Sequence, residues 1–141
     1  MVKAVRLEGQ KSVTAKWYSE ICLPEVLSGL NVPGFMLHHD NASSHTKSLT
    51  QKFINENHIK TIPHPPYSPD LALCDFWLFP KLKRHLRGRK FSSTDEIDSV
   101  VMAYFGSIPK EDWIASFAMW KKRMERCIEV EGNYFEKNKK K

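Results

Sequence analysis

Residues 35–62 narrow the possible folds most: an uninterrupted apolar run, FMLHH, a stretch with apolar side chains at helical spacing, and a second short apolar run, IKTIP. An apolar run without alternation fits a strand covered on both faces, as in a parallel sheet. Ala42, Leu49 and Phe53, with Thr46 in the same stripe, place a helix over 43–57, with Asn41 or Ser43 able to cap it. Strand, helix and strand in that order predict two parallel strands joined by a right-handed crossover. Asp40 falls at the carboxyl end of the first strand.

The flanks extend this α/β pattern. KAVRLEG reads as a short strand that stops at Gly9. Trp17, Ile21, Leu23, Leu27 and Leu30 approximate one helical face, which Pro24 must kink or divide. Pro63, Pro65, Pro66 and Pro69 make a stiff, extended loop, and Asp75 lies just past it, near a helix carrying Phe79, Leu82 and Leu86 that ends at Gly88. Ser93 and Glu96 have the spacing of a capping box ahead of Ile97, Val100, Val101, Tyr104 and Phe105. Pro109 suits a first helical position, and Trp113, Phe117, Trp120, Met124 and Cys127 repeat as a packing face. KNKKK reads as a basic, solvated tail rather than a binding arm.

A chain of 141 residues suits one domain. With 41 % hydrophobic and 27 % charged residues it has a globular composition, and no apolar run of about 18 residues is present to cross a bilayer. Three cysteines, Cys22, Cys74 and Cys127, form no close pair, and the amino terminus lacks the apolar stretch of a secretory signal, so a reducing compartment, cytosol or nucleus, is expected. The net charge of +6 favours polyanions as partners.

Taken singly, Asp40 reads as a helix cap and Asp75 as a turn or cap. Together they suggest more, because functional groups in open α/β sheets gather beyond the carboxyl ends of strands. Two carboxylates there suit a hard divalent cation and phosphoryl chemistry. Lys81, Lys83, Arg84, Arg87, Arg89 and Lys90 form a basic cluster that reads as a solvated helix face or as a phosphate-contacting surface.

The stretches HDNA with His45 following, HPPYSPDLALCDFWLF, LRGRKFSS, and the later W, RCI and GNYFE elements resemble the mariner-type transposases of the Tc1/mariner superfamily, from about Leu7 to Glu136. That family has an RNase H-like catalytic core with three aspartates, the last two separated by thirty-four residues in the mariner branch, and thirty-four residues separate Asp40 from Asp75 here. The resemblance makes Asp40 the second and Asp75 the third catalytic, metal-binding aspartate, with Mg²⁺ or Mn²⁺ as cofactor. The first has no counterpart: the acids before Asp40 are Glu8, Glu20 and Glu25. The family's helix-turn-helix region is absent too. The resemblance therefore implies a single partial catalytic domain over residues 1–141. Its expected class is α/β, a truncated RNase H-like fold with few short strands, mostly helical, and the first strands of the core missing.

Two-metal phosphodiester chemistry needs cations roughly 3.5 to 4 Å apart. With two aspartates, one weak metal site is expected, along with nonspecific DNA binding and no strand transfer by this chain alone. The alternative is a noncatalytic, domesticated DNA-binding or protein-interaction module. The expected partners are DNA and a second copy or an intact transposase, not a membrane, and the expected location is the nucleus. Zinc is disfavoured because His38, His39, His45 and Cys74 lack paired ligand spacings, and His45 reads as a brace for the Asp40 loop. Cys74 reads as a buried inert thiol, and HPPYSP as a rigid loop rather than a polyproline ligand.

Overall fold

The computed structural model describes residues 3–130. The KNKKK tail and the GNYFE element lie outside the described residues. The chain forms two compact units, the first through Pro66 and the second from Tyr67.

In the first unit, residues 3–8 are not in a strand. The KAVRLEG expectation is thus overturned: Val5 and Leu7 are half-buried, but the segment joins no strand ladder among the described residues, and a strand exists only as part of a ladder. Helical structure runs from α1 (Ala15–Trp17) through a π-helical turn (Tyr18–Cys22) into α2 (Leu23–Ser28). Thr14 caps the start, its hydroxyl accepting from Trp17 N at 3.1 Å. Helical structure continues through Pro24 without an interruption. Leu23 N–H instead bonds Tyr18 O, five residues back, and the widened turn relieves the proline ring's crowding against the carbonyl four residues before it.

Strands β1 (Met36–His38) and β2 (Lys60–Ile62) pair in parallel, with Met36 opposite Lys60 and His38 opposite Ile62. The connection is two helices, α3 (Ser43–Thr46) and α4 (Ser48–Glu56), because Lys47 is extended at ψ 151° and breaks the helix expected over 43–57. β1 is not covered on both faces: Met36 is 59 % exposed. Among the described residues the sheet has only these two strands, so the other edge of β1 has no ladder partner.

Small side chains make much of this unit's interior. Ala15, Ser19, Ser44 and Thr50 are buried beside Leu23 and Ile54, which lets α1 pack closely on α3 and α4. The buried hydroxyls are satisfied: Thr50 Oγ1 donates to Ser44 O at 2.6 Å and Ser19 Oγ to Ala15 O at 2.8 Å.

The second unit begins with the proline-rich loop and a 3₁₀ turn (Pro69–Leu71). A second π-helical turn (Cys74–Leu78) leads into α5 (Phe79–Leu86), and again the five-residue bond, Phe79 N–H to Cys74 O, directly precedes a proline, Pro80. α6 spans Thr94–Ser107 and α7 Lys110–Glu129. Ser93 Oγ accepts from Glu96 N at 3.2 Å, but Glu96 reaches one residue further than a capping box requires, its Oε2 accepting from Ser92 N and Ser92 Oγ, both at 2.7 Å. Pro109 is the cap of α7 rather than its first residue.

Leu71, Ala72 and Trp77 are buried, and Trp77 meets Trp113 edge-on with centroids 4.9 Å apart. Trp120 Nε1 donates to Leu71 O at 2.7 Å and Arg123 Nη1 to Asp70 O at 3.0 Å, tying α7 to the 3₁₀ turn. Phe117 departs from the expected packing face and is 52 % exposed. Its neighbour Ser116 is buried instead, where a small residue permits the close contact.

Candidate functional site

Asp40 follows β1 directly. Its Oδ1 accepts the Ala42 amide at 2.9 Å, two residues on, which is an Asx turn leading into α3. Neither Asn41 nor Ser43 supplies the cap; Ala42 occupies that position. His45 braces the loop, its Nδ1 donating to the same Oδ1 at 2.7 Å. Burial opposes the charge, but the Ala42 amide and His45 outweigh it and hold the Asp40 carboxyl below the usual range. Oδ2 has no hydrogen-bond partner among the described residues.

Around Asp40 stands a ring of groups that spacing did not reveal. His39 stacks on His45, centroids 4.8 Å apart with 10° between planes, and Tyr18 Oη lies 3.2 Å from His39 Nδ1. Burial first, then the Cys22 and Asp40 charges, push the Tyr18 phenol up to about 12. Desolvation and neighbouring imidazoles lower both His38 and His39. His38 Nε2 lies 3.2 Å from His64 Nδ1, and Asn41 Nδ2 donates to His64 O at 2.8 Å, so the ends of β1 and β2 are clamped where Asp40 emerges. The adjacent histidines of FMLHH were the only local hint.

In the second unit, Asp75 occupies the first turn of the π-helical segment, exposed, with its amide bonded to Ala72 O at 2.9 Å. Its carboxylate has no hydrogen-bond or ion-pair partner among the described residues. Cys74 is exposed rather than buried. Enough protein surrounds its sulfur to desolvate the thiolate, and Asp75 adds like-charge repulsion, so the thiol is pushed up and stays protonated, inert for a different reason than expected.

The basic cluster divides. Lys81 is half-buried, with Nζ 3.1 Å from Asp112 Oδ2 and 4.7 Å from the centre of the Trp77 ring, so its charge is already engaged. Lys83, Arg84, Arg87, Arg89 and Lys90 are exposed. Among the described residues no three histidine, cysteine or acidic side chains form a ready cage for a metal ion.

The family model of the DDE superfamily endonucleases matches residues 10–98. The chain belongs to this superfamily. Mariner Mos1 transposase of Drosophila mauritiana is 30 % identical over 98 residues, covering 70 % of this chain and 28 % of that protein. Histone-lysine N-methyltransferase SETMAR of Homo sapiens is 29 % identical over 110 residues, covering 78 % of this chain and 16 % of that protein. The chain thus spans less than a third of either relative. The crystal structure of the Mos1 catalytic domain superposes with a TM-score of 0.79 at 27 % identity, over 89 % of this chain and 66 % of that one. A Mos1 catalytic domain with raltegravir and Mn gives 0.82 over 92 % and 69 %. This superfamily member therefore corresponds to part of a mariner-type transposase catalytic domain, RNase H-like and mostly helical, with two short strands among the described residues.

Proposed function

We propose that Asp40, and separately Asp75, supply carboxylate ligands for Mg²⁺ or Mn²⁺ in DNA processing of mariner transposase type. The single observation that carries this is the state of Asp40, held ionised by the Ala42 amide and His45 through Oδ1 with Oδ2 left over. An ionised carboxylate oxygen is the donor a hard divalent cation requires. The exposed Asp75 carboxylate, thirty-four residues further on, has the same chemistry. Mos1 structures with Mn, with Mg and with transposon ends support the assignment by likeness.

When bound, the cation would polarise a phosphodiester and its attacking oxygen. This chain's own residues hold the Asp40 carboxylate ionised, fix its loop through His45, and present Lys83, Arg84, Arg87, Arg89 and Lys90 to phosphates. These contacts position DNA without reading its sequence. The proposed compartment is the nucleus, and the proposed protein partner is a second copy or an intact transposase.

A noncatalytic DNA-binding module is the second reading, favoured by the acids ahead of Asp40. Glu25 pairs with Lys3 at 2.9 Å and Glu8 lies 4.0 Å from Arg6, while Glu20 is exposed on the helix. The test is Mn²⁺ titration and a nicking assay on the 141-residue chain, with Asp40→Ala and Asp75→Ala beside it. The proposal expects weak Mn²⁺ binding lost in both variants, and no excision or joining of transposon ends. Binding unchanged in both variants would leave the noncatalytic module.

A further inference from the structure

Tyr67 combines two unfavourable features. It is 97 % exposed, so nearly its whole ring stands in water, and its φ of 52° is in the left-handed region that a bulky side chain rarely adopts. Glycine would suit that backbone, yet a tyrosine is there. Such outliers persist when the surroundings impose them, and they concentrate at functional positions.

Tyr67 lies between two constrained stretches of chain. Pro66 precedes Tyr67, and Ser68 is restricted in turn by Pro69. Downstream, the 3₁₀ turn is anchored to α7 through Trp120 on Leu71 O and Arg123 on Asp70 O, with Leu71 itself buried. The tyrosine is therefore an aromatic ring presented on a stiff, anchored loop, and a rigid anchor loses little freedom on binding.

We propose that Tyr67 is a stacking platform for an unpaired DNA base. This rests on the nucleic-acid reading above, which the net charge of +6 and the five exposed cations between Lys83 and Lys90 support. A flat aromatic face is complementary to a base face. In a duplex those faces are covered by neighbouring pairs and only base edges are open in the grooves. A protruding ring can thus meet the face of an unpaired base only where the stack has opened, at an overhang or a flipped nucleotide.

The experiment compares the full chain with Tyr67→Phe, Tyr67→Ala and Tyr67→Gly on two probes of equal length at fixed salt. One is a fully paired labelled duplex; the other is the same duplex ending in a short overhang that carries 2-aminopurine. Tyr67→Ala and Tyr67→Gly should weaken overhang binding about five- to a hundredfold and abolish the quenching that stacking causes. Tyr67→Phe keeps the ring and should match wild type, and all three should bind the paired duplex as wild type does. Tyr67→Gly also relieves the backbone, so its melting temperature should equal or exceed that of wild type, which separates lost stacking from lost folding. Equal affinity and quenching in Tyr67→Ala and wild type would overturn the role of Tyr67 alone, as would an equal loss on both probes. Failure of wild type to bind either probe would overturn the nucleic-acid reading together with this one.

Discussion

His45 Nδ1 stands 2.7 Å from Asp40 Oδ1, the same oxygen that accepts the Ala42 amide, so one oxygen of the carboxylate shapes the loop while the other has no hydrogen-bond partner among the described residues. The two roles can be separated by substitution. Asp40→Asn keeps an acceptor for Ala42 and His45 but loses the charge, so it should change stability by less than about 1 kcal/mol. Asp40→Ala removes the acceptor as well and should cost about 1 to 2 kcal/mol. Both should lose the rise in melting temperature that Mn²⁺ gives to wild type. Urea unfolding and melts with and without Mn²⁺ check this; a full Mn²⁺ response in Asp40→Asn would show that the charge is not the ligand.

The attachment of α7 to the 3₁₀ turn rests on Trp120 and Arg123. Trp120→Phe loses the hydrogen bond to Leu71 O and should cost about 1 kcal/mol. Arg123→Met keeps an apolar stem but loses both the bond to Asp70 O and the guanidinium 4.0 Å from the centre of the Phe76 ring, at a cost of about 1 to 2 kcal/mol. Because the two side chains hold adjacent residues, the double variant should lose less than the sum. Urea unfolding followed by circular dichroism measures all three, and strict additivity would show that the anchors act separately.

Acid should weaken the start of α6. The Ser92 amide and hydroxyl lower the Glu96 pKa below its ordinary 4.5. A lowered folded value means that this contribution is complete above about pH 4.5 and fades as pH falls through the lower folded value. Glu96→Gln removes the titrating group, so wild type should be the more stable at neutral pH and the two should converge in acid. Melting curves from about pH 7 to about pH 3 test it, with the expected gap shrinking in high salt because the carboxylate is fully exposed. A gap that stays constant with pH would contradict the assignment.

Lys81 and its basic neighbours should behave as two classes. Neutralising Lys83, Arg84, Arg87, Arg89 or Lys90 should leave stability within about 0.5 kcal/mol. Each such change should also flatten the salt dependence of DNA binding by about one unit of slope for every phosphate no longer neutralised. Lys81→Met should instead cost about 0.5 to 1 kcal/mol through Asp112 and Trp77 and change the slope little. Salt titrations of a labelled duplex and its scrambled counterpart, beside urea melts, distinguish the classes. Lys81→Met flattening the slope as much as Arg84→Ala would place Lys81 in the DNA surface.

Much of the chain's local structure is legible in its sequence because the forces that set it act within a few residues. The strand at Met36–His38, the strand at Lys60–Ile62, the Ser93 cap and the turn at Gly88 all follow from neighbours in sequence. The prolines of the helical segments are punctuation without being breaks. A proline's missing amide is local, whereas the π-helical turns that accommodate Pro24 and Pro80 leave no trace in composition or periodicity. The KAVRLEG strand fails for the converse reason: local propensity cannot supply the partner that a strand needs.

The sequence by itself determined the two strands and the Ser93-capped helix, that Asp40 ends a strand, and that Asp40 and Asp75 stand at the mariner spacing. Only the tertiary structure decided which side chains share a neighbourhood. His38 and His64 meet across 26 residues, Lys81 and Asp112 across 31, Trp120 and Leu71 across 49. Each pairing depends on loop closure and packing of whole elements, energies that no short window of residues contains. The same physics left Tyr67 outward with a positive φ: its prolines were visible in the sequence, but its exposure was a property of the folded chain.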